Sequence, residues 1–233
     1  MCTADARVTT SPALAGLFHG WPRVAACELR LPGDESTLHP EEARSIDAVS
    51  TRRRREFAAG QSCARRALAE IGVPSAPLLP SKGGIPGWPK GTTGSISHTR
   101  GYCGAVVMPQ VAGVAIGIGI DVEPIGAVVS ELYPILFTTA ERAWLSSLTG
   151  DEQPLMSTTL FTAKEAFYKA QYAITGSWVD FPDVSVLPDA HGLDIAKAAY
   201  LPAFARIQWP PSVRTTVVGN LALTGVIVER WDR

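Results

Sequence analysis

Residues 103–120 read CGAVVMPQVAGVAIGIGI, a run of small and apolar side chains broken only at Pro109 and Gln110. A bilayer-spanning helix needs about 20 consecutive apolar residues, and this break falls inside that length. Glycine and β-branched residues at such density favour extended chain over helix. Two buried strands are therefore expected, 95–107 and 111–122, joined by a hairpin turn at 108–110. The second strand ends on two carboxylates, Asp121 and Glu123.

Around this pair the chain alternates between helical and extended character. Residues 1–40 are punctuated by Pro12, Pro22, Pro32 and Pro40, with one strand expected at 24–31. From 40 to 71, Glu41 and Glu42 suit a first helical turn, and Phe57, Ala64, Leu68 and Ile71 recur at helical spacing before Gly72 and Pro74. One helix followed by a longer one fits. Residues 73–94 form a loop that Leu78, Leu79, Ile85 and Trp88 can anchor. Residues 139–148 and 156–174 are helical, the second stopping at Gly176. Strands return at 184–187, 204–209 and 221–231. The fold class is α+β, with no internal repeat detectable residue by residue.

Composition excludes several classes of protein. With 21 basic and 22 acidic residues in 233, no field spans the molecule to recruit nucleic acid or a membrane surface. Cys2, Cys27, Cys63 and Cys103 have neither metal-ligand spacing nor the density of a secreted disulfide scaffold. Asp5 and the lack of a basic, then apolar, start argue against a signal peptide. A soluble cytoplasmic monomer is expected.

Three short segments carry chemistry. In GIGIDVEP (117–124), Asp121 and Glu123 lie two apart and share one face of an extended chain. Hard divalent cations take oxygen ligands, and Mg²⁺ is usually held by one or two carboxylates with water and substrate phosphates; a solvated strand end is the plainer reading. In FTAKEAFYKA (161–170), Glu165 and Lys169 are four apart on one helical face beside Lys164. That pattern serves anion chemistry or an ordinary surface ion pair. In GSISHTRGYCGAVV (94–107), Ser97 and His98 precede a turn at Gly101, a hydroxyl and an imidazole suited to phosphate or a partly buried structural histidine. Arg52 to Arg55, Arg65 and Arg66 form the dense basic cluster of a nearly neutral chain. Phe57 and Leu68 pin that helix to a core, which gives some guanidiniums fixed positions for bidentate phosphate contact.

In this order and at these separations, RRREF, CARRAL, WPKG, SISH, GIDVEP, AKEAFYKA and WVDF resemble the Sfp-type 4′-phosphopantetheinyl transferases, most closely their actinobacterial PptT-like branch. The resemblance runs from Arg53 to about Asp183. It implies two similar α/β lobes forming a pseudo-dimer, a lobe of 1–112 with the nucleotide contacts and histidine motif and one of 113–233 with the metal carboxylates and catalytic helix, and coenzyme A in the cleft between them. It implies Mg²⁺, replaceable by Mn²⁺, on Asp121, Glu123 and Glu165, bridging to the coenzyme A diphosphate. Lys169 and Lys164 would neutralise that diphosphate. Arg53, Arg65, Lys82, Ser97 and His98 would hold the nucleotide end with its 3′-phosphate. Glu165 would act as base toward a serine of an apo acyl or peptidyl carrier protein, and Lys169 would stabilise the departing 3′,5′-ADP. The implied partners are carriers of polyketide, nonribosomal peptide, siderophore, antibiotic or fatty-acid synthesis.

Gln61 stands where that branch carries a nucleotide-binding arginine, which removes one phosphate contact or transfers it to a neighbour such as Arg54. Two rival readings use the same residues: a metal-dependent phosphohydrolase with water as nucleophile, and a non-catalytic carrier-binding module.

Overall fold

The computed structural model describes residues 8–30, 32–81, 85–190 and 192–231. The chain divides into two compact units, one ending at Gln110 and the other beginning at Val111.

The first unit comprises β1 (Thr9–Thr10), α1 (Pro12–Gly16), β2 (Ala25–Arg30), α2 (Pro40–Ser45), α3 (Thr51–Glu70), β3 (Thr92–Thr99) and β4 (Tyr102–Pro109). Its sheet is antiparallel in the order β1-β2-β4-β3. One long helix covers it, because α3 presents Ala59, Cys63, Ala64 and Ala67 to Cys27, Leu29, Cys103, Ala105 and Val107. Small side chains on that face let the helix lie close to the sheet. Ser50 starts α3 by accepting the amide of Arg53.

The expected hairpin at 108–110 is not formed. Residues 95–107 are two strands, β3 and β4, turned at Arg100 and at Gly101, whose φ of 82° suits a residue without a Cβ. The real hairpin is therefore eight residues earlier, and β4 and β5 belong to different sheets.

The second unit comprises β5 (Val114–Pro124), α4 (Tyr133–Leu136), α5 (Thr139–Leu145), α6 (Glu152–Thr175), β6 (Val184–Asp189), β7 (Gly192–Lys197), β8 (Ser212–Val218) and β9 (Leu221–Trp231). Strands β5-β9-β8 form an antiparallel sheet, and β6-β7 a separate hairpin. The expected strand at 204–209 is instead a short 3₁₀ turn, Pro202–Arg206, followed by irregular chain that leads to Pro210 and Pro211. The segment keeps its own amides, and that of Gln208 reaches the Glu229 carbonyl of β9 at 2.8 Å, but Pro210 and Pro211, which follow, have no N–H with which to extend a ladder.

Helix α6 ends in the left-handed residue Gly176, whose amide returns to the carbonyl of Tyr172. Its buried face packs Leu160, Ala163, Ala166, Phe167 and Ala170 against Val226, Val228 and the 184–207 region. The contact with β5 is closer than side chains usually allow. A Cβ at Gly117 would collide with the carbonyl of Ala170, and one at Gly119 with that of Ala166. The alternating glycines of GIGID thus form a groove that seats the helix backbone. A hydrogen bond of 2.7 Å between Thr162 Oγ1 and Thr224 Oγ1 joins helix to sheet where Thr224 lies opposite Asp121.

Gly119→Ala should lower unfolding free energy by about 1–3 kcal/mol or more, because overpacking here meets backbone and not a yielding side chain. Gly16→Ala, with nothing near its Cβ position, should be neutral or slightly stabilising. Urea denaturation of both variants checks the contrast.

Candidate active site

On β5, residues 117, 119, 121 and 123 share one face by strand alternation, and the two glycines place that face under α6. Asp121 and Glu123 continue it beyond the glycine groove. Along α6, Glu165 and Lys169 sit one turn apart on the side that meets this strand end. Lys169 Nζ donates to Asp121 Oδ1 at 2.7 Å and to the carbonyl of Ile120 at 3.0 Å. The lysine thereby ties helix to strand as well as supplying charge.

Asp121 is 4% exposed, while Glu123 is half-buried. Burial pushes the Glu165 carboxyl above its ordinary value; the charges of Asp121 and Glu123 push it further, and Lys169 works against them. Glu165 thus feels both other carboxylates and the ammonium that holds Asp121. The set carries excess negative charge on hard oxygen donors, which suits a divalent cation. Among the described residues no three acidic, histidine or cysteine side chains close around a ready-made ion cage. Lys169 holds one oxygen of Asp121.

Beside Glu165 lies a cavity of about 130 Å³, bounded by Phe167, Tyr168, Trp178, Val179 and Phe181. Trp178 is 69% exposed; its ring meets Tyr168 edge-on at 5.2 Å, and its Nε1 donates to Asp180 Oδ1 at 2.6 Å. Sequence reading did not find this slot. The WVDF segment marked the place, but nothing in it shows that the rings line a cavity.

Lys164, expected to neutralise diphosphate, points elsewhere. It is 2% exposed, and its ammonium donates to Glu141 Oε2 at 2.7 Å and to the carbonyls of Leu136, Phe181 and Val184 at 2.8–3.0 Å. Every ammonium direction is spent inside the unit, so Lys164 is a structural tether between α6, the start of α5 and β6. Desolvation lowers its pKa, opposed by Glu141. Glu141 also caps α5, accepting the amide of Thr138, and takes the amide of Val186.

In the first unit, Arg53 Nη1 meets His98 Nε2 at 2.8 Å, with Glu56 Oε2 3.6 Å from the guanidinium and 4.0 Å from His98 Nδ1. Arg53 keeps more than half its side chain exposed. Both residues line a cavity of about 180 Å³. Ser97 lies on the opposite strand face from His98 and is buried, outside that cavity's lining.

Arg65 is also corrected from a nucleotide contact to a structural residue. Its Nη1 binds both oxygens of the fully buried Glu42 at 2.7–2.8 Å, and its Nη2 the carbonyl of Thr37. Glu42 further accepts the amides of His39 and Leu78, so the pair fastens α2 and the 78 loop to α3. Arg54, the suggested substitute for an arginine at 61, is held by Glu35 at 2.7 Å. Lys82 lies outside the described residues.

Residues 41–108 match the family model of the 4′-phosphopantetheinyl transferase N-terminal domain, and residues 117–221 that of the 4′-phosphopantetheinyl transferase superfamily. The chain is similar to the 4′-phosphopantetheinyl transferase Svp of Streptomyces mobaraensis, 37% identical over 181 residues that cover 76% of this chain and 73% of that one. It is similar to the 4′-phosphopantetheinyl transferase PptT of Mycobacterium tuberculosis, 40% identical over 147 residues, 63% of each chain. Enterobactin synthase component D of Salmonella typhi is 33% identical over 73% of this chain and 69% of its own.

Two expectations follow. Because Glu165 holds its proton more tightly folded than unfolded, its contribution to stability is present below the ordinary carboxylate pKa and is lost as pH rises through its raised folded value. In metal-free solution Glu165→Gln should flatten that loss, so that its melting temperature exceeds wild type on the alkaline side. Lys164→Met should cost about 3–5 kcal/mol by stranding buried Glu141, seen as an early denaturation midpoint.

Proposed function

Since the chain belongs to the 4′-phosphopantetheinyl transferase superfamily, we infer that it transfers the 4′-phosphopantetheine group of coenzyme A to a serine of an apo carrier protein, releasing 3′,5′-ADP. The observation that carries this reading is the conjunction of Asp121, Glu123, Glu165 and Lys169 at one strand end. That donor set fits Mg²⁺, with Mn²⁺ as a substitute, and the ion would be held by the three carboxylates. When bound it would neutralise the coenzyme's diphosphate and polarise the phosphoryl group under attack.

The residues of the chain then divide the work. The serine hydroxyl attacks the phosphorus that bears the pantetheine arm, the anhydride bond to the nucleotide phosphate breaks, and 3′,5′-ADP departs with the bond's electrons. A serine hydroxyl is a weak nucleophile at neutral pH, so its proton needs an acceptor. Glu165, beside the metal-binding carboxylates, is the acceptor in this reading. Lys169 places positive charge where the leaving group gathers negative charge. The apolar slot beside Glu165 suits the uncharged arm. Arg53 and His98 supply a guanidinium and an imidazole for the nucleotide's 3′-phosphate.

Carriers of siderophore, polyketide and peptide assembly lines are the proposed partners. A reducing cytoplasm suits the free thiols Cys27, Cys63 and Cys103, all buried, and no described helix is long and apolar enough to cross a membrane.

Intact-mass analysis of several apo carriers with coenzyme A and Mg²⁺ tests the reading: each true partner should gain about 340 Da, the mass of the phosphopantetheine arm. Asp121→Asn, Glu165→Gln and Lys169→Met should each cut turnover by about 100-fold or more in protein that circular dichroism shows to be folded at the assay temperature. Product release from coenzyme A without any carrier would favour a phosphohydrolase instead.

A further inference from the structure

The cavity of the first unit contains a feature that phosphate binding leaves unexplained. Its volume of about 180 Å³ falls below the 300 Å³ or so of a pocket for a whole drug-sized ligand. It has the scale of a single ring system. Phe57, Ile96, Pro80 and Pro86 provide apolar walls, and Arg53 and His98 put cationic and polar groups on the same lining.

Gln61 also lines this cavity and is 3% exposed. Its Nε2 donates to the carbonyl of Leu78 at 3.1 Å. A carbonyl oxygen can only accept, so this bond fixes which end of the amide is which. The other end, Oε1, is buried and meets no hydrogen-bond donor among the described residues. Buried acceptors are rarely left unmade, because the lost solvation is not recovered elsewhere. The neighbouring Gly60 keeps the floor low, since a Cβ there would press on Ile96.

Gln61 lines this cavity with one acceptor unmade, beside the cationic and polar groups of Arg53 and His98 and the carboxylate of Glu56; an occupant that offers an N–H or O–H donor to Oε1 and an anion to Arg53 and His98 would complete the lining. The adenine of coenzyme A has this form: a flat apolar-faced ring with an exocyclic amine, carried on a phosphorylated ribose. We propose that Gln61 Oε1 is a specificity determinant that accepts a hydrogen bond from the adenine amine. This rests on the reading of coenzyme A as donor. A water molecule or a ribose hydroxyl on Oε1 is the competing outcome, and neither would make binding depend on the amine.

Isothermal calorimetry with 3′,5′-ADP and with the purine-riboside 3′,5′-bisphosphate, which lacks the 6-amino group, separates these cases. The wild-type protein should bind 3′,5′-ADP about tenfold tighter. Gln61→Met, similar in length but without the acceptor, should bring the ratio to about one, by weakening 3′,5′-ADP and not by strengthening the purine compound. Equal binding of the two ligands by wild type overturns the proposal without recourse to any variant, and so does a Gln61→Met protein that keeps the preference. Phosphopantetheine transfer by wild type is followed in parallel. Transfer without base preference overturns the role of Gln61 alone, whereas absence of both transfer and bisphosphate binding overturns the coenzyme reading with it.

Discussion

The close seating of α6 on β5 is the constraint on which the proposed chemistry depends. Gly117 and Gly119 have no side chains because the carbonyls of Ala170 and Ala166 occupy that space. Only at this separation can Lys169 reach both Asp121 and the carbonyl of Ile120. Glu165, one turn before Lys169, is thereby brought near enough to Asp121 and Glu123 for their charges to raise its pKa. The glycines of GIGID and the acids that follow are one device: the first part sets the depth of the helix, and the second uses it.

A second theme is the sorting of basic residues between structure and function. Lys164 and Lys169 flank Glu165 in one motif, yet Lys164 is caged by Glu141 and three carbonyls, whereas Lys169 stays at the acidic site. Arg53 and Arg65 share one helix, yet Arg65 is bound to buried Glu42 while Arg53 faces a cavity beside His98. Buried charges survive only when paired and fully hydrogen-bonded. Lys164 and Arg65 meet that condition, and each joins three separate segments. They hold the frame that presents Lys169 at the acidic strand end and Arg53 at the cavity beside His98.

Much of this was legible in the sequence where period alone decides geometry. Asp121 and Glu123 are two apart, so any strand puts them on one face, and Glu165 and Lys169 are four apart, so any helix does the same. The stops at Gly72 and Gly176 followed from local chemistry. The fates of Lys164 and Arg65 were not legible, because their partners lie 23 residues upstream in each case. The turn at Gly101 was legible and joins β3 to β4, but the further hairpin expected at 108–110 does not form: Pro109 looked like a turn and instead ends an edge pairing with Thr92. The 204–209 region reads as apolar and aromatic, but Pro202 before it and Pro210 and Pro211 after it confine it to a short turn and irregular chain.

The central claim is that this strand end is an unfinished cation site, rich in carboxylate charge and completed by a divalent metal together with the diphosphate of coenzyme A. Electron paramagnetic resonance of Mn²⁺ titrated into the protein with coenzyme A present tests it most directly. The account predicts one protein-bound Mn²⁺ per chain, displaced by Mg²⁺ and lost in Asp121→Asn and Glu165→Gln. Mn²⁺ bound equally well by both variants, or not bound at all in the presence of coenzyme A, would contradict it.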